Sequence, residues 1–160
     1  FLVTDEGPSA IRFNLTHSGD LALVAIARFE VGIDAEHTGR AIDWASLATE
    51  VFSPRERAER LPGPGRDHCL TFFDLWTLKE AYLKGRGCGL AIPLQSFELT
   101  EHAADGSCRV RIAPEWADGV DWRLSRLPAG SNYAAALACA TPTDRIRRFT
   151  WRTPPATPVP

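Results

Sequence analysis

The chain has 160 residues, of which 44% are hydrophobic and 24% are charged, and its formal net charge is −2. These values are typical of one globular domain, and the near-neutral charge does not favour nucleic acid or an anionic membrane as a partner. No apolar run reaches the roughly 18 to 20 residues of a membrane-spanning helix, and no signal peptide is evident. We therefore expect a cytoplasmic protein.

The cysteines are widely spaced and include no C-x-x-C pair: Cys69, Cys88, Cys108 and Cys139. Zinc sites and disulfide frameworks use closer, paired spacings, so this pattern favours reduced thiols, as is usual in the cytoplasm. The chain begins with Phe1 and contains no methionine. We expect the sequence to start inside a longer protein.

The first part of the chain predicts a β-hairpin followed by a third strand. Residues 11–15 predict a short strand, a turn is expected at residues 17–20, and the apolar residues 21–29 suit a second strand. Residues 31–36 alternate between apolar and acidic side chains, which is the period of two of a strand. Two acidic side chains should therefore leave this strand on one face.

Three helices are predicted next. Asp43 is a candidate N-cap for a helix whose apolar residues recur at helical spacing between residues 44 and 51. Residues 53–56 read Ser-Pro-Arg-Glu, a capping box with proline at the first helical position, and predict a second helix. Residues 66–84 predict the longest helix, which we expect to end at Gly85.

The remainder of the chain predicts short strands at residues 96–100, 108–112, 122–127 and 133–139, separated by turn-forming sequences. Residues 151–160 are rich in proline, and we expect this tail to be disordered or extended. The order of elements predicts the α+β class, with an antiparallel sheet packed against a long helix.

Asp34 and Glu36 form the first candidate site, because both should project from the same face of one strand. Two neighbouring carboxylates repel each other unless a cation, a proton or a basic side chain lies between them. Mg²⁺ commonly takes one or two protein carboxylates together with substrate phosphates. The pair therefore indicates a candidate metal site, while an exposed polar strand face is the simpler alternative.

A second candidate site lies on the long helix. Glu80 and Lys84 are four residues apart, which places them on one side of the helix, and Lys79 points about 100° away from Glu80. One helix face could thus offer a carboxylate to a metal and an ammonium to a phosphate. An ordinary Glu–Lys surface pair beside a buried tryptophan explains the same spacing.

Two further positions carry weaker signals. Thr16, His17 and Ser18 provide two hydroxyls and an imidazole that suit a phosphate, and a turn with local hydroxyl caps is the alternative. Glu56 is already explained by the capping box. It stays a secondary candidate for a catalytic role.

Taken together, these segments resemble the successive motifs of Sfp-type 4′-phosphopantetheinyl transferases. The matching segments are residues 13–18 (FNLTHS), 31–36 (VGIDAE), 52–56 (FSPRE), 76–84 (WTLKEAYLK) and 89–94 (GLAIPL). The resemblance extends from about residue 11 to about residue 139. The G-I-D-x-E and W-x-x-K-E-x-x-x-K elements in tandem are highly specific, whereas either one alone is a weak signal.

The resemblance implies an enzyme that moves phosphopantetheine from coenzyme A to a serine of an acyl or peptidyl carrier protein, leaving 3′,5′-adenosine diphosphate. It implies that Asp34, Glu36 and Glu80 hold Mg²⁺, with Mn²⁺ as the alternative metal. Glu80 would also serve, directly or through water, as the base for the serine. Lys79 and Lys84 would stabilise phosphate charge.

The remaining site residues follow from the same resemblance. His17 would contact a coenzyme A phosphate, with Thr16 and Ser18 beside it, and Glu56 is the secondary catalytic candidate. Thr16 stands where most members have serine, and Ala35 replaces a bulkier apolar residue. The basic residues that the family uses before this segment, for the adenine and the 3′-phosphate, have no counterpart here.

The resemblance also implies a domain organisation, because Sfp-type enzymes are pseudo-dimers of two similar halves with coenzyme A in the cleft between them. Residues 1–30 would be the end of the first half, residues 31–150 the second half with the metal site, and residues 151–160 the tail. The full-length form is expected to be a monomer. Self-association of this chain, as in the trimeric acyl-carrier-protein synthase branch, is the alternative.

Two other functions stay open from the sequence. The first is a non-catalytic fragment that keeps the fold and carrier-protein docking. The second is a different Mg²⁺-dependent phosphate enzyme, such as a nucleotide hydrolase, which the acidic pair alone would suit. The sequence carries no glycine-rich phosphate-binding loop in support of the second.

Overall fold

A computed structural model describes residues 3–4, 7–8, 10–61, 66–101, 107–141 and 145–151 of the chain. Residues 152–160, most of the predicted proline-rich tail, lie outside these ranges, as does the side chain of Cys69. Cys88, Cys108 and Cys139 are free thiols. Among the described residues, no helix combines the length and the apolar character needed to cross a membrane.

The described ranges contain nine strands and three α-helices. In chain order they are β1 (Val3–Thr4), β2 (Gly7–Pro8), β3 (Arg12–Ser18), β4 (Leu21–Ala27), β5 (Val31–His37), α1 (Trp44–Val51), α2 (Pro54–Arg60), α3 (Arg66–Arg86), β6 (Phe97–Glu101), β7 (Cys108–Ile112), β8 (Arg123–Arg126) and β9 (Tyr133–Cys139).

Strands β5 to β9 form one antiparallel sheet in the order β5-β9-β8-β7-β6, so β5 lies at an edge. Strands β3 and β4 pair as a separate antiparallel hairpin, and β1 pairs with β2. Helix α3 packs across β5, β9 and β8. The predicted α+β class is therefore confirmed, with a long helix on an antiparallel sheet.

The main core lies between α3 and the sheet. Leu78 and Tyr82 of α3 belong to one buried cluster with Ala134, Ala136 and Ala138, which occupy alternate positions of β9. Small side chains at these positions leave room for the helix to lie close to the sheet. A second buried cluster, which lies on the other face, contains residues of β4, β5 and β9: Ala25, Val31, Ile33, Leu137 and Cys139.

The predicted helix starts are confirmed. The Asp43 side chain accepts a hydrogen bond from the Ser46 amide at the start of α1. At the start of α2, Ser53 and Glu56 form a reciprocal capping box, with Pro54 at the first helical position. Local hydrogen bonding of these side chains satisfies amides that have no partner within the helix.

Several predicted boundaries are wrong by small amounts. The second strand, predicted over residues 21–29, ends at Ala27. Helix α3 continues through Gly85 to Arg86, and Gly87 with a φ of +67° follows it. The turn of the first hairpin is also tighter than expected, because Ser18 still pairs with Leu21 in the ladder. His17 therefore lies within β3 and not in the turn.

Candidate functional site

A cleft of about 380 Å³ opens where β3, β5 and α3 meet. It is lined by side chains from all three elements: Thr16 and His17 of β3, Asp34, Ala35 and Glu36 of β5, and Trp76, Glu80 and Lys84 of α3. The structure thus brings most of the residues singled out in the sequence to one place, although they are up to 68 positions apart in the chain.

The acidic pair faces α3 because of the strand period. Asp34 and Glu36 pair with Ala136 and Ala134 of β9, which belong to the core beneath α3. Ile33, between Gly32 and Asp34, belongs to the cluster on the opposite face. The expectation that both acidic side chains leave one face of the strand is confirmed.

The helix contributes a single stripe to the cleft. Trp76, Glu80 and Lys84 are spaced by four residues, so their side chains follow one another along one side of α3. This side lies directly on β5, since a Cβ atom on Gly32 would overlap the carbonyl oxygen of Ala81. Helix and strand backbones therefore approach closely enough for side chains at the end of α3 to reach the acidic pair.

Asp34 is the centre of the polar contacts. Lys84 Nζ lies 2.7 Å from Asp34 Oδ1, and the Thr16 hydroxyl donates to the same oxygen at 3.2 Å. The other oxygen, Oδ2, is buried and has no hydrogen-bond partner. Burial raises the pKa of Asp34, while Lys84 acts in the opposite direction and Glu36 adds to the rise.

Glu80 is the least engaged carboxylate in the cleft. Its side chain is partly buried, and it has no hydrogen bond or ion pair within the described part of the chain. Burial is the main cause that raises the pKa of Glu80, followed by the nearby negative charge of Asp34. A raised carboxyl pKa in a cleft is typical of groups that exchange protons or bind cations.

Glu36 lines the same cleft but makes its polar contacts through one oxygen, Oε2. Arg40 Nη1 lies 2.6 Å from Glu36 Oε2, and the Ser18 hydroxyl donates to the same oxygen at 3.1 Å. Arg40 was not predicted from the sequence. Arg40 follows Glu36 by four residues, a spacing that brings two strand residues together only if the chain turns. The turn at Thr38 and Gly39, directly after β5, makes the contact possible.

The residues present fit a hard divalent cation only in part. Within the described ranges, no group of three or more His, Cys, Asp or Glu side chains is arranged to hold a metal ion. Mg²⁺, however, commonly takes one or two protein carboxylates and completes its shell with water and phosphate oxygens. The unpartnered Asp34 Oδ2 and the unengaged Glu80 supply such a pair. Glu36 could add its Oε1, since Arg40 and Ser18 contact only its Oε2.

Lys79 and Glu56 are not part of the cleft, and the expected phosphate contact of Lys79 is not supported by its position. The Lys79 side chain is 0% exposed, and its Nζ lies 2.7 Å from Glu56 Oε2. The same nitrogen donates to the carbonyl oxygens of Val51, Leu94 and Phe97. An ammonium buried with four oxygens around it has no hydrogen left for a phosphate.

Glu56 is equally committed to the scaffold. Its Oε2 accepts from the Ser53 amide, and its Oε1 accepts from the Leu99 amide at 3.0 Å. The side chain is 3% exposed. Glu56 therefore ties α2 to α3 and β6, which favours the capping interpretation over the catalytic one.

The β3 residues divide between the cleft and the strand edge. His17 is exposed and lines the cleft, where a phosphate could reach it. Thr16 also lines the cleft, but Ser18 does not, and both hydroxyls are buried against β5. Their expected contact with coenzyme A is thus less direct than that of His17.

Two curated proteins illustrate what the chain is similar to. The chain is 36% identical to the 4′-phosphopantetheinyl transferase HetI of Nostoc sp. over 133 residues, covering 82% of this chain and 53% of HetI. It is 32% identical to the 4′-phosphopantetheinyl transferase psf-1 of Bacillus pumilus over 148 residues, covering 86% of this chain and 62% of psf-1. The chain spans about half the length of the curated relatives it matches.

Solved structures share the fold. The holo-[acyl-carrier-protein] synthase of Thermotoga maritima has a TM-score of 0.54 at 21% identity, covering 69% of this chain and 61% of that chain. The holo-ACP synthase of Plasmodium yoelii has a TM-score of 0.54 at 18% identity, covering 69% of this chain and 91% of that chain. The family model described as the 4′-phosphopantetheinyl transferase superfamily matches residues 30–138. Because this match covers more than half of the sequence, the chain belongs to the 4′-phosphopantetheinyl transferase superfamily.

Proposed function

We propose that this chain transfers the 4′-phosphopantetheine group of coenzyme A to a serine of an acyl or peptidyl carrier protein. The observation that carries the proposal is the cleft in which Asp34, Glu80 and Lys84 meet, in a chain that belongs to this superfamily. The relatives HetI and psf-1 are both named 4′-phosphopantetheinyl transferases, which supports the same reaction.

Asp34 and Glu80 are the residues that would hold Mg²⁺, or Mn²⁺ in its place, and Glu36 would join them through Oε1, the oxygen that Arg40 and Ser18 leave without a contact. The unpartnered Asp34 Oδ2 supports this assignment, because a buried carboxylate oxygen without a donor is costly unless a ligand completes it. Bound Mg²⁺ would neutralise pyrophosphate charge and act as a Lewis acid.

Glu80 is proposed as the base for the carrier serine, acting directly or through one water molecule. Burial raises its pKa, which makes it a better proton acceptor than an exposed carboxylate. As Glu80 accepts the proton, the serine oxygen bonds to the phosphorus that carries pantetheine. The bond from that phosphorus to the bridging oxygen breaks, and 3′,5′-adenosine diphosphate leaves with the electron pair.

Lys84 and His17 are proposed to bind the donor. The Lys84 ammonium is partly exposed in the cleft, within reach of both Asp34 and a phosphate placed beside it. It would stabilise the negative charge that develops on the departing phosphate. His17 lines the same cleft from β3 and would contact another phosphate of coenzyme A.

The test is the intact mass of a purified apo carrier protein after incubation with this chain, coenzyme A and Mg²⁺. We expect a gain of one phosphopantetheine, which Glu80→Ala abolishes. Glu50→Ala is the matched control, because Glu50 is an exposed carboxylate on α1 outside the cleft. Loss of the gain in Glu50→Ala as well would mean that the effect of Glu80→Ala is not specific to the cleft.

A second candidate is a non-catalytic chain that keeps the fold and carrier-protein docking. The observation that favours it is the span of the chain, about half the length of its curated relatives. Binding of the apo carrier protein without any gain in mass would support this candidate. Turnover by the chain itself would exclude it.

A further inference from the structure

The edge of the main sheet is completed by side chains and not by another strand. Strand β5 is an edge strand, so the amides that point away from β9 find no ladder partner. Three of them are satisfied by alternate residues of β3. Asn14 Oδ1 accepts from the Ile33 amide at 3.0 Å, Thr16 Oγ1 from the Ala35 amide at 3.3 Å, and Ser18 Oγ from the His37 amide at 2.9 Å.

Two of these side chains make a second bond, to the acidic pair. While Thr16 accepts from the Ala35 amide, its hydroxyl donates to Asp34 Oδ1 at 3.2 Å. Likewise, Ser18 donates to Glu36 Oε2 at 3.1 Å. Each hydroxyl therefore joins one backbone amide of β5 to the carboxylate of the preceding residue. This arrangement occurs twice, two residues apart on both strands.

The Thr16 hydroxyl has no hydrogen-bonding capacity left. A hydroxyl has one hydrogen to donate and two lone pairs to accept with. In Thr16 the hydrogen goes to Asp34, and the lone pairs take the Ala35 amide and Lys84 Nζ, the latter at 3.2 Å. The Thr16 and Ser18 side chains are 5% and 8% exposed, so water does not readily replace these bonds.

Asn14 provides an internal comparison. It bonds to the β5 edge with the same offset of 19 residues as Thr16 and Ser18. The residue that precedes Ile33 is Gly32, which has no side chain, whereas Asp34 precedes Ala35 and Glu36 precedes His37. Asn14 therefore docks the hairpin on β5 without holding a carboxylate.

We propose that Thr16 and Ser18 are positioning residues for the cation site, each fixing one carboxylate of the acidic pair relative to the β5 backbone. The inference rests on the proposed function for the role of Asp34 and Glu36. Two like charges two residues apart repel each other, and a donated hydrogen bond limits the directions in which each can turn. Partners of this kind commonly change metal affinity by roughly 10- to 100-fold when removed.

The test is Mn²⁺ binding to the chain without coenzyme A or carrier protein, measured from the electron paramagnetic resonance signal of free Mn²⁺. We expect Thr16→Val and Ser18→Ala to raise the Kd by about tenfold. Thr16→Ser keeps the hydroxyl and should bind as the unmodified chain does. Asn14→Leu removes an edge bond without touching a carboxylate, so its Kd should stay within about twofold of the unmodified value.

Amide hydrogen exchange shows what each substitution removed. Exchange should accelerate at Ile33 in Asn14→Leu, at Ala35 in Thr16→Val and at His37 in Ser18→Ala, because these amides lose their acceptors. Circular dichroism establishes that each variant is folded. Ser18→Ala, which deletes only a hydroxyl, tests the proposal if Thr16→Val fails to fold.

Three results would overturn the proposal. Equal loss of Mn²⁺ affinity in Asn14→Leu and Thr16→Val would mean that docking of the hairpin matters and not the hold on the carboxylate. Unchanged affinity in Thr16→Val and Ser18→Ala would exclude positioning, and so would the absence of Mn²⁺ binding by the unmodified chain. The carrier-protein mass assay is scored separately, so transfer can be upheld while positioning fails, or the reverse.

Discussion

Gly32 of β5 and Gly85 of α3 are in direct backbone contact. A Cβ atom on Gly85 would lie 3.1 Å from the Gly32 nitrogen and 2.7 Å from Cζ3 of Trp122. On Gly32 it would overlap the carbonyl oxygen of Ala81. Because a backbone atom cannot rotate aside as a flexible side chain can, only glycine allows this approach. The contact lies beside Lys84, whose ammonium reaches Asp34.

Gly32→Ala should therefore damage both stability and the site. The added methyl group must push α3 away from β5, and we expect a loss of about 3 kcal/mol in the free energy of unfolding, as for severe overpacking. Mn²⁺ binding should weaken as well, because Glu80 moves away from Asp34. Urea unfolding and Mn²⁺ titration measure the two effects.

Gly87→Ala is the control for this substitution. Gly87 has a φ of +67°, and a Cβ atom there meets nothing within 4 Å. Backbone strain alone should lower the free energy of unfolding by about 1 kcal/mol, and the affinity for Mn²⁺ should not change. If Gly32→Ala costs no more than Gly87→Ala, the glycine contact does not set the position of the helix.

Because Lys79 and Glu56 form a buried ion pair, substitution of Lys79 should lower the stability of the fold and not the affinity for coenzyme A. Lys79→Met leaves the Glu56 carboxylate buried without its counter-ion, and we expect a loss of about 3 to 5 kcal/mol. The double variant Glu56→Gln/Lys79→Met removes both charges and should recover part of that loss. Chemical unfolding of the two single variants and the double variant measures the coupling.

The same variants separate the structural role of Lys79 from a phosphate contact. At a temperature where Lys79→Met is folded, its affinity for coenzyme A should equal that of the unmodified chain, as measured by isothermal titration calorimetry. Normal stability together with lost coenzyme A affinity would restore the phosphate role that the sequence suggested.

Glu80→Gln should stabilise the chain in metal-free buffer at neutral pH. Burial raises the pKa of Glu80, so the folded state retains a proton that the unfolded state has lost. The free energy of unfolding therefore falls as the pH rises from the ordinary glutamate pKa of the unfolded chain through the raised pKa of the folded chain. The glutamine variant lacks this loss, and its advantage should disappear below about pH 4.

Thermal unfolding across this pH range, with a chelator present, checks the sign. Glu50→Gln, at an exposed position of α1, should follow the unmodified chain at every pH. An advantage of Glu80→Gln that grows toward acidic pH would contradict the assignment of a raised pKa to Glu80.

Lys84→Met should strengthen Mn²⁺ binding in the absence of coenzyme A. The Lys84 ammonium occupies Asp34 Oδ1 at 2.7 Å, where it competes with an added cation. Lys84 is 32% exposed and Asp34 is 5% exposed, so water screens this pair from the lysine side only. We expect its removal to change binding by ~1 kcal/mol, which corresponds to about a two- to fivefold lower Kd.

Arg55→Met provides the comparison, because Arg55 pairs with Glu59 on the exposed side of α2. Its Mn²⁺ affinity should not change. Weaker binding in Lys84→Met would show that Lys84 helps to organise the carboxylates and does not compete with the cation.

Local pattern was enough to predict the elements and part of the site. Strand alternation placed Asp34 and Glu36 on one face, and the four-residue spacing placed Glu80 and Lys84 on one side of α3. The capping residues Asp43 and Ser53 marked the helix starts. These features depend on the fixed geometry of a strand or a helix turn, which a sequence displays directly.

The assignment of the two lysines needed the tertiary structure. Lys79 and Lys84 both lie within the same motif, yet one is buried with Glu56 and the other reaches the cleft. Helix α3 is buried on more than one side, since its residues contact both the sheet and α1. Helical spacing alone therefore did not indicate which lysine faced water.

The sequence by itself determined the three helices, the strands from β3 to β9 and the face on which the acidic residues lie, whereas β1 and β2 were not predicted. Only the tertiary structure decided what Thr16 and Ser18 contact, because their partners on β5 lie 18 and 19 residues away. Periodicity is set by bonds between neighbouring residues. The docking of the β3–β4 hairpin on β5 depends instead on contacts between distant residues, including the second apolar cluster, to which β4 contributes Ala25.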